Sequence, residues 1–413
     1  MTIDINKLDL SKVHPSNKAM LDAASNLLIN AGAVPYNDLA KGYLELETTR
    51  SEAVKKHAAI TKELDDMKAS PMVRTDFVIG GNVKAPIGTG IPDGKVATTN
   101  AKKAFGMTGS EFNFDVPCFE WKTPHPLVPR VDESYMFDPG VLKELLYCLI
   151  HDKRAFLTGH TGTGKSSAIE QMCARLNWPL IRANFDSELT RMEVVGKEAL
   201  RVQTDDDGKS YTITQFVETI LPTAMRHGYV FLGDEWDSIR PDVAFVMQPV
   251  LEGKDLVLLE DESRVVPRHP MFRMFATGNT RGQGDDSGIY NGTRPQNAAS
   301  MDRFEEWITM SYPSQDMVKK FIEAYHPDIP SEMRVRIAKF VREYWNGFER
   351  QEITTPLSYR GVSNICSRVM FGVGTGTDAK QAMNQAVAAT CNNKASMSDV
   401  SVINGIISRV FAS

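Results

Sequence analysis

The stretch from Gly159 to Ser166 carries a phosphate-binding pattern. It reads Gly-His-Thr-Gly-Thr-Gly-Lys-Ser and fits the spacing G-x-x-x-x-G-K-[ST] in full. Glycines let the backbone approach phosphate oxygens, and the N–H groups of the loop and of a following helix face the anion. Lys165 can reach the β- and γ-phosphates and Ser166 can ligate Mg²⁺, which predicts ATP and Mg²⁺ as ligands. The predicted nucleotide-binding residues are Gly159, His160, Thr161, Gly162, Thr163, Gly164, Lys165, Ser166 and Ser167.

A pair of carboxylates, Asp234 and Glu235, follows the apolar run 229–233 further along the chain. Carboxylates at a strand end beside a phosphate loop suit magnesium ligation and water activation, so Asp234 is a predicted Mg²⁺ ligand and Glu235 is predicted to polarise the attacking water. The alternative is a surface cap, which an acidic pair would form if no phosphate loop preceded it. Gly233 stands where another apolar residue would be usual, and it either makes room for a neighbour or loosens the strand end.

Three further polar residues complete the candidate site. Asn279 ends the apolar stretch "MFRMFATGN", where an amide can hold the attacking water or touch the γ-phosphate; the alternative is a turn-forming asparagine. Arg303 in "MDRF" and Arg360 in "TPLSYRGV" can stabilise transition-state charge, and such an arginine comes from the same chain or from a neighbour. The alternative for each arginine is a surface ion pair of small energetic value.

Alternating strands and helices must position these residues. The strand "RAFLTG" precedes the phosphate loop and the helix "GKSSAIEQMCARLN" follows it; "PLIRANF", "YVFLGD" and "FRMFATGN" are further short apolar strands separated by helices. This alternation predicts an α/β core with a parallel sheet covered by helices on both faces. Ahead of the core, "YMFDPGVLKELLYCLIHDK" is an amphipathic helix with Asp138 as N-cap and Pro139 at the first helical position.

Composition shifts divide the chain into four predicted parts. Residues 1–70 are rich in helix formers and are predicted to be a helical N-terminal arm, either solvated or in contact with a partner. Residues 71–103 are crowded with Gly, Pro, Asn and Thr and are predicted to be a linker. The α/β core spans 104–312, and 313–413 reads as helices only, an all-α lid domain.

The overall composition excludes several classes of protein. Of the 413 residues, 47 are basic and 52 acidic, and the net charge of −5 gives no general attraction to nucleic acid or anionic membranes. Five scattered cysteines without a C-x-x-C pair argue against a disulfide framework or a zinc site and fit a reducing cytoplasm. No apolar run is long enough to span a bilayer, and the N-terminus lacks the order of a secretion signal.

With these residues in this order, the chain resembles the AAA+ ATPases of the MoxR type, and within them the CobS group, the ATPase subunits of aerobic cobaltochelatases. The resemblance is specific over about 104–312, through "AFGMTGSEFNFDVPCFEW", "NFDSELTRMEVVGKEAL", "RPDVAFVMQPVLEG" and "QNAASMDRF", and weaker to about 405. It differs at 358–360, which read Ser-Tyr-Arg where the family often has Ser-Pro-Arg, and it does not extend to the first 100 residues.

The resemblance implies a role for each site residue. Lys165 and Ser166 correspond to Walker A, Asp234 and Glu235 to Walker B, and Asn279 to sensor 1. Arg303 matches the position of a trans-acting arginine finger, and Arg360 that of sensor 2.

The resemblance also implies an assembly. It is a homo-oligomeric ring, usually a hexamer, with ATP between subunits and two hairpin insertions where partners bind, here 198–218, turning at Asp207-Gly208, and 256–266. Partners of this group commonly carry a von Willebrand A domain.

Three functions remain open at the level of sequence. The first is a ring-forming motor that remodels a partner protein. The second is the motor subunit of a cobaltochelatase, which inserts cobalt into a corrin ring; the eight histidines are dispersed and form no dedicated cobalt or corrin site in the sequence. The third is a nucleotide-switched assembly scaffold or DNA-associated motor. The acidic net charge argues against DNA binding, and the full set of catalytic residues argues against a pure scaffold.

Overall fold

The computed structural model describes residues 94–412 except 187, 205–209, 286, 287, 289 and 291, together with two short paired strands, β1 (Val78–Ile79) and β2 (Val83–Lys84). The predicted helical arm, 1–70, lies outside the described residues, as does much of the predicted linker. Across the described part of the chain, no helix combines the length and apolar character needed to cross a bilayer.

The linker prediction is wrong for residues 94–103. Strand β3 (Gly94–Asn100) pairs antiparallel with β4 (Asp115–Trp121) along its full length, and the short helix α1 (Ala101–Ala104) follows directly. The segment contains β-branched residues at 96, 98 and 99, which suit a strand, but its hydrogen-bonding partner lies some way further along the chain. Local composition therefore did not reveal the pairing.

A five-stranded parallel sheet forms the centre of the structure. Its strand order is β13–β5–β12–β9–β6. Every residue of β5, β9 and β12 is buried, which explains why these strands read as unbroken apolar runs rather than as an alternating pattern. The strands are β5 (Ala155–Thr158), β6 (Leu180–Asn184), β9 (Val230–Asp234), β12 (Arg273–Gly278) and β13 (Glu306–Thr309).

Helices cover both faces of this sheet, as the alternation of elements predicted. Successive strand residues point to opposite faces, so Phe231 and Met274 lie in one core cluster while Leu232 and Phe275 lie in the other. Helices α2 (Pro139–Ile150) and α3 (Lys165–Arg175) contribute to the second cluster. Helices α5 (Ile220–His227) and α6 (Pro241–Leu251) contribute to the first, together with the short α4 (Arg191–Val194).

The predicted cap of α2 is confirmed. The side chain of Asp138 accepts a hydrogen bond from the backbone N–H of Val141 at 3.0 Å, and Pro139 occupies the first turn of the helix. The cap satisfies an N–H that would otherwise lack a partner, and the proline loses nothing at a position whose N–H has no helical acceptor.

Two antiparallel hairpins extend from the α/β region. The first consists of β7 (Gly196–Thr204) and β8 (Ser210–Glu218); its predicted turn at 207–208 lies outside the described residues. The second consists of β10 (Leu256–Leu258) and β11 (Arg264–Val266). Both predicted hairpins are therefore paired strands, and the first begins two residues earlier than predicted.

The chain is helical after β13. Its helices there are α8 (Gln315–Tyr325), α9 (Ser331–Glu349), α10 (Tyr359–Gly374), α11 (Ala379–Thr390) and α12 (Met397–Ala412). The short helix α7 (Ala298–Met301) lies before β13. The helices after β13 bury a cluster of their own, which includes Tyr344, Trp345 and Ile406. The structure changes from mixed to all-helical after β13, and residues 75–413 form one compact unit, so the domain boundary at 312/313 stays a prediction.

Candidate nucleotide site

The strand order of the sheet brings the predicted site residues together. β12 lies between β5 and β9 and runs parallel to both. The loop after β5, the carboxylates at the end of β9 and the residue after β12 therefore meet at one edge of the sheet. Such an edge, outside the carboxyl ends of parallel strands, is the usual place for a ligand in open α/β sheets.

The phosphate loop (159–166) adopts a conformation that its glycines permit. Gly162 and Gly164 have φ of +80° and +90°, values that other residues rarely adopt. Gly164 is the N-cap of α3, so the loop leads directly into the start of that helix, where unpaired N–H groups and the helix dipole favour an anion. Thr163 donates from its Oγ1 to the carbonyl of His160 at 2.9 Å and so braces the loop from within.

Lys165 is nearly buried, and its ammonium group has three acceptors. Nζ donates to the carbonyls of Gly159 at 2.7 Å and His160 at 3.0 Å, and to the Oδ1 of Asn279 at 2.9 Å. A lysine has three N–H donors, so the ammonium is fully satisfied. Burial lowers the pKa of Lys165 to about 8, against the opposing effect of the carboxylates of Asp237, Asp234 and Glu235.

Ser166 and Asp234, the predicted magnesium ligands, are in contact. The hydroxyl of Ser166 donates to Asp234 Oδ1 at 2.7 Å. Both oxygens can therefore reach one ion, and Mg²⁺ commonly takes only one or two protein oxygens and completes its shell with phosphate and water. The residues present fit this ion. Within the described residues, no group of three or more His, Cys, Asp or Glu side chains is placed to hold a metal.

Two residues that hold Asp234 were not predicted from the sequence. Thr277, on β12, donates its hydroxyl to Oδ1 of the carboxylate, and Arg182, on β6, forms an ion pair with Oδ2. Arg182 also pairs with Glu170 on α3 at 2.9 Å. Both residues lie on strands next to β9, so strand order would have been the signal that identified them.

Glu235 follows Asp234 in a backbone conformation that is uncommon for a residue with a side chain. Its φ is +57°, and the chain turns from there into a short 3-10 helix, Trp236–Ser238. The turn sends the carboxyl group of Glu235 toward solvent while that of Asp234 stays buried. Partial burial raises the pKa of Glu235, and the charges of Asp234 and Asp237 raise it further. A carboxylate with a raised pKa is a better proton acceptor for water.

The adjacent space explains Gly233. A methyl group at this position would lie 2.7 Å from the Trp236 ring and 2.8 Å from that of Phe185. Of the two readings of this glycine, the one that makes room for a neighbour is therefore correct. The packing of Trp236 against the strand end leads the chain into the turn that carries Glu235.

Asp237 is a fully buried carboxylate that holds the segment after β12. Its Oδ2 accepts hydrogen bonds from the backbone N–H groups of Asn279 and Thr280, both at 2.8 Å, and from the Thr280 hydroxyl at 3.1 Å. Its backbone carbonyl accepts from the N–H of Arg294 at 2.9 Å. Asp237 thus fixes the backbone from which Asn279 reaches Lys165, a role that was not predicted from the sequence.

The remaining predicted loop residues have different surroundings. His160 and Thr161 contact Tyr290 and Tyr312, which lie beyond β12 and β13. Ser167 is exposed on the first turn of α3, and its hydroxyl has no hydrogen bond within the described residues. Its predicted role in binding stays a prediction.

Arg303 does not contact the phosphate loop of its own chain in the part that the structure describes. Its guanidinium donates to Glu252 at 2.9 Å and to the carbonyl of Ala299 at 2.6 Å. Glu252 immediately follows α6 and is exposed. Within its own chain, Arg303 therefore forms an ion pair with Glu252 at the surface.

Arg360 is exposed near the start of α10, and within the described residues it has no hydrogen bond or ion pair. The N-cap of that helix, Ser358, lies against the phosphate loop, because a methyl group on Gly162 would lie 2.5 Å from both Cα and Cβ of Ser358. Ser358 accepts a hydrogen bond from the N–H of Gly361 at 3.4 Å, so Ser-Tyr-Arg forms an ordinary helix start without the family's usual proline. Arg360 therefore lies two residues after Ser358, the residue that contacts the phosphate loop.

Comparisons with known proteins identify the family of this chain. A family model described as an AAA domain of the dynein-related subfamily matches residues 154–294, which include the phosphate loop, both carboxylates and Asn279. The aerobic cobaltochelatase subunit CobS of Sinorhizobium sp is 38% identical over 280 residues, which are 66% of this chain and 79% of that protein. This chain belongs to the CobS family of AAA+ ATPases.

Other relatives are more distant. The protein CbbQ of Hydrogenophilus thermoluteolus is 30% identical over 146 residues, which are 35% of this chain and 51% of that protein. Among solved structures, the RuvB Holliday junction branch migration motor of Thermotoga maritima covers 64% of this chain and 72% of its own, with 13% identity and a TM-score of 0.40.

The site of this CobS-family ATPase has the parts that phosphoryl transfer to water needs. Lys165 and the loop N–H groups are placed where they could bind phosphate, and Ser166 and Asp234 could hold a magnesium ion that would supply charge neutralisation. Glu235 is placed to accept a proton from water, with Asn279 fixed on the neighbouring strand. The chain alone has no arginine in contact with the loop within the described residues, which leaves the charge of the transition state without that partner.

Proposed function

We propose that this AAA+ ATPase acts as a homo-oligomeric ring, a hexamer by its resemblance to the MoxR group, in which ATP binds between subunits. The contacts of Arg303 support this proposal most directly. The residue lies at the position of an arginine finger, yet its guanidinium binds Glu252 and Ala299 of its own chain. An arginine held at the surface is available to the phosphate loop of a neighbour, and such a finger accelerates hydrolysis by about 10³–10⁵ in related chemistry.

In this proposal each site residue has a role that its position supports. Lys165 binds the β- and γ-phosphates, and Ser166 and Asp234 hold Mg²⁺ between them. Glu235 accepts the proton of the attacking water and Asn279 orients that water. Arg303 of one subunit stabilises the charge on the phosphate bound by the next, and Arg360 reports the nucleotide state to the C-terminal helices.

We further propose that hydrolysis remodels a partner protein that contacts the two hairpins. The first hairpin exposes Leu200 and Val202, which share one face of β7. The second exposes a paired Val257 and Val265, with Leu259 nearby. Contiguous exposed apolar side chains are typical of interaction surfaces. By resemblance, the partner carries a von Willebrand A domain.

Charged pairs join the base of the first hairpin and the helices beside it to the loop end of the second hairpin. Glu218, the last residue of β8, is largely buried and accepts hydrogen bonds from Arg226 on α5 at 2.8 Å and from Arg264 on β11 at 2.5 Å. Arg191 on α4 pairs with Glu260 in the loop of the second hairpin at 2.5 Å. These pairs support a single contact surface that moves as one body, rather than two independent hairpins.

A mixing experiment tests the ring and the trans-acting arginine. We expect Lys165→Ala to lose ATP binding and Arg303→Ala to bind ATP without hydrolysing it. In a one-to-one mixture, an intact phosphate loop faces an intact arginine at about one quarter of the interfaces, so about that fraction of wild-type turnover should return.

The control for this experiment is a mixture of Lys165→Ala with the double variant Lys165→Ala/Arg303→Ala, which should stay inactive. If no mixing ratio restores turnover although both variants assemble, Arg303 does not act across subunits.

A second candidate function, the ATPase subunit of a cobaltochelatase, is favoured by the 38% identity with CobS over 79% of that protein. The two candidates differ in the partner that they require. A Glu235→Gln variant loaded with ATP should hold its partner, and mass spectrometry then identifies it. Recovery of a protein with a von Willebrand A domain and no corrin-binding subunit favours general remodelling, whereas recovery of a large corrin-binding subunit favours chelation.

A further inference from the structure

A tyrosine hydroxyl contacts the phosphate loop at two atoms. The hydroxyl oxygen of Tyr290 lies 3.1 Å from the Nδ1 of His160 and 3.2 Å from the backbone nitrogen of Thr161. Tyr290 belongs to the segment between Asn279 and Arg303. None of the motifs that carry the nucleotide chemistry includes it.

A second tyrosine contacts the other backbone polar group of the same residue, Thr161. Tyr312 donates its hydroxyl to the carbonyl of Thr161 at 3.0 Å. The ring of Tyr312 lies almost parallel to that of His160, with centroids 5.9 Å apart, and Phe348 on α9 meets the His160 ring edge-on at 5.2 Å. Three aromatic rings therefore surround His160, and two hydroxyls fix the Thr161 backbone.

One of the two hydrogen bonds of Tyr290 has a fixed direction, and the other depends on which nitrogen of His160 carries the proton. The N–H of Thr161 can only donate, so the hydroxyl oxygen accepts from it. The proton of the hydroxyl can then be donated to the Nδ1 of His160, an arrangement that requires the neutral ring to carry its own proton on Nε2. Burial and the positive charge of Lys165 lower the pKa of His160, which outweighs the opposite effect of Glu349 and favours the neutral ring.

The Tyr290 segment is also anchored to the turn after the catalytic carboxylates. Thr293 donates its hydroxyl to the carbonyl of Tyr290 at 2.9 Å, and the N–H of the next residue, Arg294, donates to the carbonyl of Asp237. The Asp237 side chain holds Asn279 at the same time. The segment that carries Tyr290 and the residue that faces Lys165 thus share one anchor.

We propose that Tyr290 is a positioning residue of the ATPase site. Its hydroxyl holds the Thr161 N–H and the His160 ring, fixes the outer half of the phosphate loop in the shape that receives the triphosphate, and ties that shape to the segment leading to Arg303. The effect is on binding rather than on the chemical step, because neither contact involves the residues that activate water.

The test compares Tyr290→Phe with a matched variant, Tyr229→Phe, in the full-length assembled protein. Tyr229 also pairs its hydroxyl with a histidine, since it lies 3.0 Å from the Nε2 of His125, but the pair is at the opposite end of β9 from the carboxylates. Both variants lose one hydroxyl and keep the ring. Only the first should change nucleotide binding.

We expect Tyr290→Phe to raise the KM for ATP about five- to tenfold while kcat changes less than about twofold, the size of one lost intramolecular hydrogen bond. Tyr229→Phe should lower the melting temperature and leave KM unchanged. A KM that stays at the wild-type value in a folded Tyr290→Phe protein overturns the proposal. So does a fall in kcat alone, since that outcome indicates general structural damage.

A measurement on the unaltered protein tests the hydrogen-bond direction independently. The ¹⁵N chemical shifts of the His160 ring at pH 7.5 should report a neutral ring with its proton on Nε2 and an accepting Nδ1. A proton on Nδ1 contradicts the proposed chain from Thr161 through Tyr290 to His160, whatever the behaviour of the variants.

Discussion

The Nζ of Lys165 donates a hydrogen bond to the Oδ1 of Asn279 at 2.9 Å. The lysine of the phosphate loop and the asparagine that follows β12 are therefore direct partners. A phosphate oxygen that takes this N–H of Lys165 releases the amide of Asn279 toward the reacting phosphate. If Lys165 and Asn279 have the roles proposed above, arrival of the triphosphate and placement of Asn279 would be a single exchange of hydrogen bonds.

ATP binding should weaken at alkaline pH. The pKa of Lys165 is lowered to about 8, so the ammonium is present below that pH and is lost above it. Phosphate needs the charged form, and the KM for ATP should therefore rise about tenfold between pH 7 and pH 9. Steady-state kinetics across this range provides the measurement. Lys165→Arg keeps its charge at every one of these pH values and should have a weaker but pH-independent affinity. A wild-type KM that is flat up to pH 9 contradicts the assignment.

Replacing Glu235 by Gln should separate binding from hydrolysis. The amide cannot accept a proton from water, so kcat should fall by about 10²–10⁴ while ATP affinity changes little. Because the pKa of Glu235 is raised above its ordinary 4.5, wild-type kcat should begin to fall on acidification at a pH above that value, as the carboxylate takes up its proton. Glu332→Gln, an exposed change on α9, is the control and should keep full turnover. Normal turnover in Glu235→Gln would remove this residue from its role.

Asp237→Ala should damage both stability and catalysis. The change leaves the N–H groups of Asn279 and Thr280 without an acceptor, which should lower the free energy of unfolding by about 2–4 kcal/mol. kcat should fall with it, because Asn279 loses its fixed backbone. Asp237→Asn keeps one acceptor oxygen and should lose less of both. Urea denaturation and steady-state kinetics on both variants give the comparison, and equal losses in the two would mean that charge, not hydrogen bonding, is what the site needs from this residue.

Gly233→Ala should destabilise the protein through overpacking. The added methyl group would meet the rings of Trp236 and Phe185 at under 3 Å, at a cost of about 1–3 kcal/mol. Gly374→Ala, at the end of α10, is the matched control, because a methyl group there has no neighbour within 4 Å. It should be neutral or slightly stabilising. A melting temperature of Gly233→Ala at or above that of the control would show that the strand end can relax around the methyl group.

Much of the site could be predicted from sequence because its chemistry is local. The phosphate loop has a fixed spacing, and Asp234 and Asn279 each directly follow an apolar strand. Because parallel strands end at the same edge of the sheet, residues at these positions are expected to lie close together. The residues that the sequence did not reveal, Arg182, Thr277 and Tyr290, act through contacts with distant parts of the chain. Their roles depend on which strands are neighbours, and periodicity does not encode that.

The linker error has the same physical origin. Residues 94–100 form a strand because β4 supplies its hydrogen-bonding partners, and β4 begins only at Asp115. A helix such as α2 is recognisable from its own cap, since Asp138 and Pro139 act within one turn. Strand pairing has no comparable local signal, and a segment rich in threonine and glycine gives the same composition whether or not a partner strand is present.

The close approach of Gly162 to Ser358 has a mechanical consequence. Backbone lies on backbone there, with less than the thickness of a methyl group between the phosphate loop and the first turn of α10. Because the two segments are in van der Waals contact, a displacement of either one should displace the other. A nucleotide that changes the conformation of the loop should therefore shift the C-terminal helices. In the reverse direction, a molecule that displaces those helices should change the affinity of the loop for ATP.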